Sequence, residues 1–139
     1  MDEVIALAVA LSLAALAAPA PSGAASVTLT VRYSDGSAGD HVAHLRCRRD
    51  SARADGFLSD VGARAACRHA RKSAAFLVAR PSAKRICTQI YGGPQHARIT
   101  GTIGERRIDR RFARTDGCAI GDWTRAVPLL PPARAGREP

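Results

Sequence analysis

Cys47, Cys67, Cys87 and Cys118, with His41, His44, His69 and His96, are the residues of this 139-residue chain best suited to chemistry. Thiolates and imidazoles hold zinc when they recur at short spacing. Here no C-x-x-C occurs and Cys67 with His69 is the one close Cys/His pair, so no metal site is expected. None of the histidines stands in a nucleophile-elbow or zincin signature, the acids form no evident pair, and no glycine-rich phosphate loop is present. His41 and His44 read as turn and strand-surface residues. The expectation is a binding module, not an enzyme, with no cofactor. An even cysteine count in a small exported chain implies two disulfides. Three pairings are open and spacing does not choose among them. Sequential pairing would close loops of about 20 and 30 residues, each stabilising by about 3–4 kcal/mol.

Around Cys87 the chain reads "ICTQIYGGPQ" (86–95), in a protein with only one Trp, two Tyr and three Phe. Ile86, Ile90 and Tyr91 flank the cysteine and precede a Gly-Gly-Pro turn. A buried strand accounts for these apolar residues. A rigid loop offered to a partner's active site accounts for them equally well.

The outer bounds leave room for one domain. From Val4 to Ala18 the chain is almost unbroken apolar sequence, followed by Pro and small residues. That is the pattern of a secretory signal with cleavage near Ala24 or Ala25, although Asp2 and Glu3 stand where bases are usual. The run is short for a membrane span of about 20 residues. Residues 1–25 are therefore expected to be a leader, and the product to be extracellular and free of the membrane. Removal takes two of the twelve acids and no base, leaving 21 bases against ten acids, so the formal charge rises from +9 to +11. Such a balance favours anionic surfaces. Nineteen of the 21 bases are Arg in an Ala-rich chain, however, which reads as compositional bias on a solvated surface. With no bases interleaved among stacking aromatics, no specific nucleic-acid partner is expected.

The elements that must position Cys87 follow from periodicity. "VTLTVRY" (Val27–Tyr33) alternates β-branched apolar and polar residues, a half-buried strand, and "HVAHLRC" (His41–Cys47) follows a turn as its antiparallel partner. "RRDSARADG" reads as a polar loop. "FLSDVGARAACRHARKSAAF" changes to helical texture, with Ser59 or Asp60 as N-cap and Val61, Ala65 and Cys67/Arg68 inward. "QHARITGTIGERRIDRRF" reads as a hairpin about Gly104, with Ile99 and Ile103 on one face of its first strand. Ile108 and Phe112 share a face of the second with Arg106 and Arg110, so the sheet is expected to be only partly covered there. A turn at Asp116-Gly117 leads to "AIGDWTRAV", with Trp123 as an anchor and an edge strand expected. "PLLPPARAGREP" reads as a Pro-rich tail, flexible from residue 128 to 139. The sum is an α+β layer of four or five antiparallel strands and one or two helices.

From Cys87-Thr88-Gln89-Ile90-Tyr91-Gly92-Gly93-Pro94 to "ARITGTIGERRIDRRFARTDGC", ending at Cys118, the chain resembles the bacterial subtilisin inhibitor family. The opening "VTLTV" and the order of the cysteines add to the likeness, which spans about Val27 to Val127 within a domain set at 26–127. The resemblance implies a two-layer α+β sandwich: a five-stranded antiparallel sheet with two helices. It implies the pairing Cys47–Cys67 and Cys87–Cys118, and a homodimer formed through the sheet. It also implies reversible inhibition of subtilisin-like serine proteases through a substrate-like loop comprising Ile86, Cys87, Thr88, Gln89, Ile90 and Tyr91. Gln89–Ile90 would be the reactive bond. Gln89 and Thr88 stand where the family more often has Met, Lys or Arg and Pro. The 47–67 segment is a few residues longer than usual and lacks the usual Pro/Gly-rich pattern. The alternative is a secreted disulfide-bonded binding domain on the same scaffold, without inhibitory activity.

Overall fold

A computed structural model describes residues 24–37 and 39–133; the expected leader to residue 23 and the last six residues lie outside them. Five strands, β1 (Val27–Ser34), β2 (His41–Cys47), β3 (Ala52–Ala54), β4 (His96–Ile103) and β5 (Arg106–Ala113), form one antiparallel sheet in the order β3-β2-β1-β4-β5. Alternation sets its two faces. Val27, Leu29 and Val31 point inward beside Ala43, Leu45, Cys47, Ile99 and Ile103, and all are buried, whereas Thr28, Arg32, Arg46 and Arg98 face outward. The expected hairpin turns at Gly104, and Ile108 and Phe112 join the core. The fold is the α+β layer with two disulfides, Cys47–Cys67 and Cys87–Cys118.

The helical layer departs from expectation in detail. The helix read after Phe57 is divided into α1 (Leu58–Val61), α2 (Ala63–Lys72) and α3 (Ala74–Val78). Gly62, at φ +89°, breaks the first turn, and Ser73 separates the other two. These breaks reset the helical phase, so Leu58, Ala66, Cys67, Ala70 and Leu77 are buried, Val61 and Ala65 only half-buried, and Arg68 exposed. Neither Ser59 nor Asp60 caps; the Ser59 hydroxyl donates to Gly56 O at 2.7 Å. The segment read as a polar loop contains β3, which pairs Ala52–Ala54 with Leu45–Cys47. Three residues are too few for an alternation to register.

Nor is there an edge strand after the last turn. Residues 117–126 form α4 (Gly117–Ala126), whose N-cap Asp116 accepts from the Ala119 amide at 2.8 Å; that bond satisfies an otherwise orphaned donor and starts the helix. Trp123 is buried as expected, and its Nε1 donates to Pro131 O at 3.0 Å. Leu129 and Leu130 are fully buried, so the packed chain runs past the boundary expected at residue 128. Two leucines inside a Pro-rich segment carry no periodicity; their burial depends on the surface that α4 offers.

On β5, Arg106 is exposed while Arg110 is buried. The Arg110 guanidinium donates from Nη1 to Phe76 O and, at 3.2 Å, to Ala79 O, and from Nη2 to Asp122 Oδ2 at 3.1 Å. It also stacks 3.9 Å from the Phe76 ring centroid. Burial works to depress its pKa, and Asp122 opposes that effect. The covered stretch of sheet thus holds a charge that is paired, not left facing hydrocarbon.

Two stability predictions follow from buried polar groups. Removing one partner of a buried ion pair strands the other, at a cost of about 3–5 kcal/mol. Asp122→Ala is expected to lower urea-unfolding stability by about 3 kcal/mol, given that Asp122 keeps some solvent contact. His69 is half-buried on α2, with Nε2 3.2 Å from Arg125 O and from Ser73 Oγ. Burial is the main reason its pKa falls below the ordinary 6.5. The unfolded chain therefore binds this proton more readily, and stability present above 6.5 is lost as pH falls towards the folded value. His69→Gln is expected to flatten the fall in unfolding free energy that sets in as pH drops below 6.5.

Candidate functional site

Residues 79–95 connect α3 to β4 without helix or strand, and the loop expected at Ile86–Tyr91 lies within them, in the open. Ile86 is 101% exposed, Ile90 58% and Tyr91 67%. These three account for most of the large apolar side chains left in solvent among the described residues; the others are Val42 and Val78. A buried strand is thereby excluded, and the apolar residues around Cys87 are displayed.

Several bonds hold the displayed segment to the body. Cys87 joins Cys118 on the first turn of α4, with 5.3 Å between Cα atoms. The Gly117 amide donates to Thr88 O at 2.9 Å, and the Gly92 amide donates to Arg114 O at 2.7 Å. Gln89, Ile90 and Tyr91 form the span between these two backbone anchors. The Arg114 guanidinium reaches under the loop to donate to Gly92 O and, at 3.2 Å, to Gln95 Oε1. At the loop's entrance Arg85 makes a two-point ion pair with Asp122, at 3.1 and 3.3 Å. Asp122 also receives Arg110, so one carboxylate links the loop entrance to the interior of the sheet.

Two glycines permit this close approach. A Cβ on Gly117 would collide with Thr88 Oγ1, and a Cβ on Gly92 would lie 2.9 Å from Ile120 Cδ1. Both backbone anchors therefore sit where only glycine fits without displacement. The Gln89 side chain donates to Cys87 O across 3.5 Å, a long and weak contact that leaves it free to turn outward.

All six residues expected in the loop lie together there, and the four expected cysteines are paired as the resemblance implies. Sequence reading placed Asp116 and Gly117 in a turn without their role under the loop, and missed the other supports, Arg85, Arg114 and Asp122. One signal was available, Arg110 on the inward face of β5, because a buried guanidinium requires a carboxylate from elsewhere in the chain. Cys87, Asp116 and Cys118 bring three potential metal-ligand atoms within 4.8 Å. Both sulfurs are taken by the disulfide and Asp116 caps α4, so this grouping is structural. His41 and His44 are exposed as expected; His44 pairs with Asp55 at 3.0 Å, and His41 stacks on Tyr33.

No protein-family model matches the chain, and no curated relative matches it. Among solved structures, the chain is similar to one from the crystal structure of Streptomyces caespitosus sermetstatin in complex with Bacillus licheniformis subtilisin. The identity is 22%, covering 72% of this chain and 91% of that one, with a TM-score of 0.38.

The support beneath the loop is open to direct test. A hydrogen bond from a charged donor contributes about 1.5–3 kcal/mol, or at least about a tenfold change in a local opening equilibrium. Arg114→Met is expected to speed amide exchange across 88–93 by about tenfold while leaving the amides of β1 and β4 unchanged. Unchanged exchange at 88–93 would show that the disulfide and backbone anchors suffice alone.

Proposed function

We propose that this chain is a secreted inhibitor of subtilisin-like serine proteases and not an enzyme. It acts through Ile86–Tyr91, with Gln89–Ile90 as the reactive bond. The observation that carries this reading is the arrangement just described: an exposed apolar segment anchored at Thr88 and Gly92, with Gln89 and Ile90 between.

The physics of inhibition follows from that arrangement. An extended segment adds its backbone to a protease's edge as a strand. The Gln89 carbonyl then enters the oxyanion hole, where donors await a developing negative charge. Ile86 offers an apolar side chain to the hydrophobic pocket that subtilisins present upstream of the cut. Because disulfide, guanidinium and backbone anchors already order the loop, little further conformational freedom is lost on binding. After any cleavage, the Cys87–Cys118 bond on one side and the Gly92 anchor on the other keep the new Ile90 amine beside the acyl group. Religation then competes with hydrolysis.

Residues 1–25 are the leader in this reading, and the disulfides suit an oxidising, extracellular setting. Among the described residues no helix is long and apolar enough to cross a membrane. A homodimer through the open sheet face forms no part of the proposal. That face carries Arg32, Arg46, Arg53, Arg98, Arg107 and Arg111, of which Arg98 is paired with Asp109 at 2.7 Å.

Titration of subtilisin with the oxidised chain, followed by mass spectrometry, tests the proposal. Stoichiometric inhibition is expected, with any nick between Gln89 and Ile90. Gln89→Met, which spares the cost of desolvating an amide, is expected to tighten binding by about tenfold. Replacing Cys87 and Cys118 together by Ser is expected to weaken it by at least about a hundredfold and to turn the loop into a substrate. Full protease activity with an intact loop would sink the proposal.

A further inference from the structure

A second candidate site lies at the other end of the sheet. β1 runs from Val27, paired with Cys47, to Ser34, paired with His96 at the foot of the loop. The two ends are about 23 Å apart at the usual rise per residue. Beside Cys47 is a recess of about 400 Å³ whose cationic lining is Arg48, Arg49, Arg64, Arg68 and Arg71. Asp50 is the one acid in its wall, and Ser51, Ala52 and Cys67 complete it.

Three of these arginines come from α2 at four- and three-residue spacing, so they share one helix face; the other two come from the turn after β2. Like charges so spaced on a helix repel. Among the described residues none of the five is in an ion pair. Only Arg71 has side-chain hydrogen bonds there, from Nε to Ala25 O at 2.8 Å and from Nη2 to Arg48 O at 3.4 Å. The Cys47–Cys67 disulfide fixes α2 against the end of β2 and forms part of the wall, so a covalent link holds together the two backbone segments that carry these arginines.

We infer that this recess binds linked phosphate groups, an oligophosphate of two or more units. A guanidinium offers a planar fork that pairs two-point with phosphate oxygens. Several forks around one recess call for several negative charges in a small volume, which a single carboxylate or orthophosphate does not supply. The site is remote from Ile86–Tyr91, so its occupancy is independent of the inhibitor reading and leaves the loop free.

Calorimetric titration of the full chain with sodium tripolyphosphate is the test. One site per chain is expected, weakening by about tenfold between about 50 and about 200 mM salt. Arg64→Ala with Arg68→Ala is expected to weaken binding by at least about tenfold. Arg32→Ala with Arg111→Ala removes equal charge from the open sheet face and is expected to change it by less than about twofold. Alanine favours helix, so α2 should persist. Should that double variant fail to fold, Arg64→Lys with Arg68→Lys keeps the charge, removes the forks, and is still expected to weaken binding by several-fold. Equal losses from both alanine pairs would reduce the effect to net charge and overturn the site. Absence of binding, orthophosphate binding as tightly, or a heparin fragment binding more tightly than tripolyphosphate would also overturn it.

Discussion

Asp122 accepts two guanidiniums that face different problems. Arg110 has been carried into the interior on the inward face of β5, where an unpaired charge costs several kcal/mol even after relaxation. Its hydrogen bonds to Phe76 O and Ala79 O recover part of that cost and satisfy carbonyls at the end of α3, which a helix leaves without partners. The cation also sits at the end of the helix dipole that favours it. Asp122 supplies the counter-charge from α4 and extends the network to Arg85 at the loop entrance. The sheet, α3, α4 and the displayed loop therefore share one electrostatic node.

That node explains how a short, cation-rich chain holds a loop with so many exposed apolar atoms. Ile86 gains nothing from burial in the free protein and Ile90 and Tyr91 gain little, so collapse does little to order the loop. Its order is imposed from beneath: covalently by Cys87–Cys118, by backbone bonds at Thr88 and Gly92, and by Arg85 and Arg114 at its flanks. Glycine at 92 and 117 lets these supports reach the backbone and leaves the side chains of 89–91 outside. A loop held in this way keeps its outward residues free to vary in chemistry while its path stays fixed.

The strands were legible because a two-residue alternation survives in single segments: Val27, Leu29 and Val31 announce their face without reference to any partner. The helices were less so. Gly62 and Ser73 break the register between Leu58 and Val78, and a phase read across a break drifts: Val61 still packs against the core and Cys67 is buried, but Arg68 is exposed and Ala66 is buried in place of Ala65. α4 was hidden because its start rests on the Asp116 cap and its retention on Trp123, a long-range contact. For the loop, the residue types at 86–91 suit strand and display alike. What decides is whether a sheet neighbour exists to receive them, and that is a property of the whole fold.

The charge imbalance acquires a structural meaning once the partnered acids are followed to their partners. Asp35 bonds the Ser37 amide and hydroxyl, Asp55 receives His44, Asp109 receives Arg98, Asp116 caps α4, and Asp122 holds Arg85 and Arg110. Hydrogen bonding to these partners holds the Asp35, Asp55 and Asp109 carboxyls below the ordinary range. Five of the nine acids among the described residues are thus committed to one local geometry, whereas the side chains of Arg48, Arg49, Arg64 and Arg68 are committed to none. Compositional drift accounts for a large number of arginines but not for where the acids stand. Two of these carboxylates stand where the fold most needs an anion: Asp122 beside the buried Arg110, and Asp116 where α4 begins. The two kinds of charge are therefore under unequal constraint: loss of Asp116 or Asp122 breaks a defined contact of the fold, while loss of Arg48, Arg49, Arg64 or Arg68 breaks no side-chain contact among the described residues.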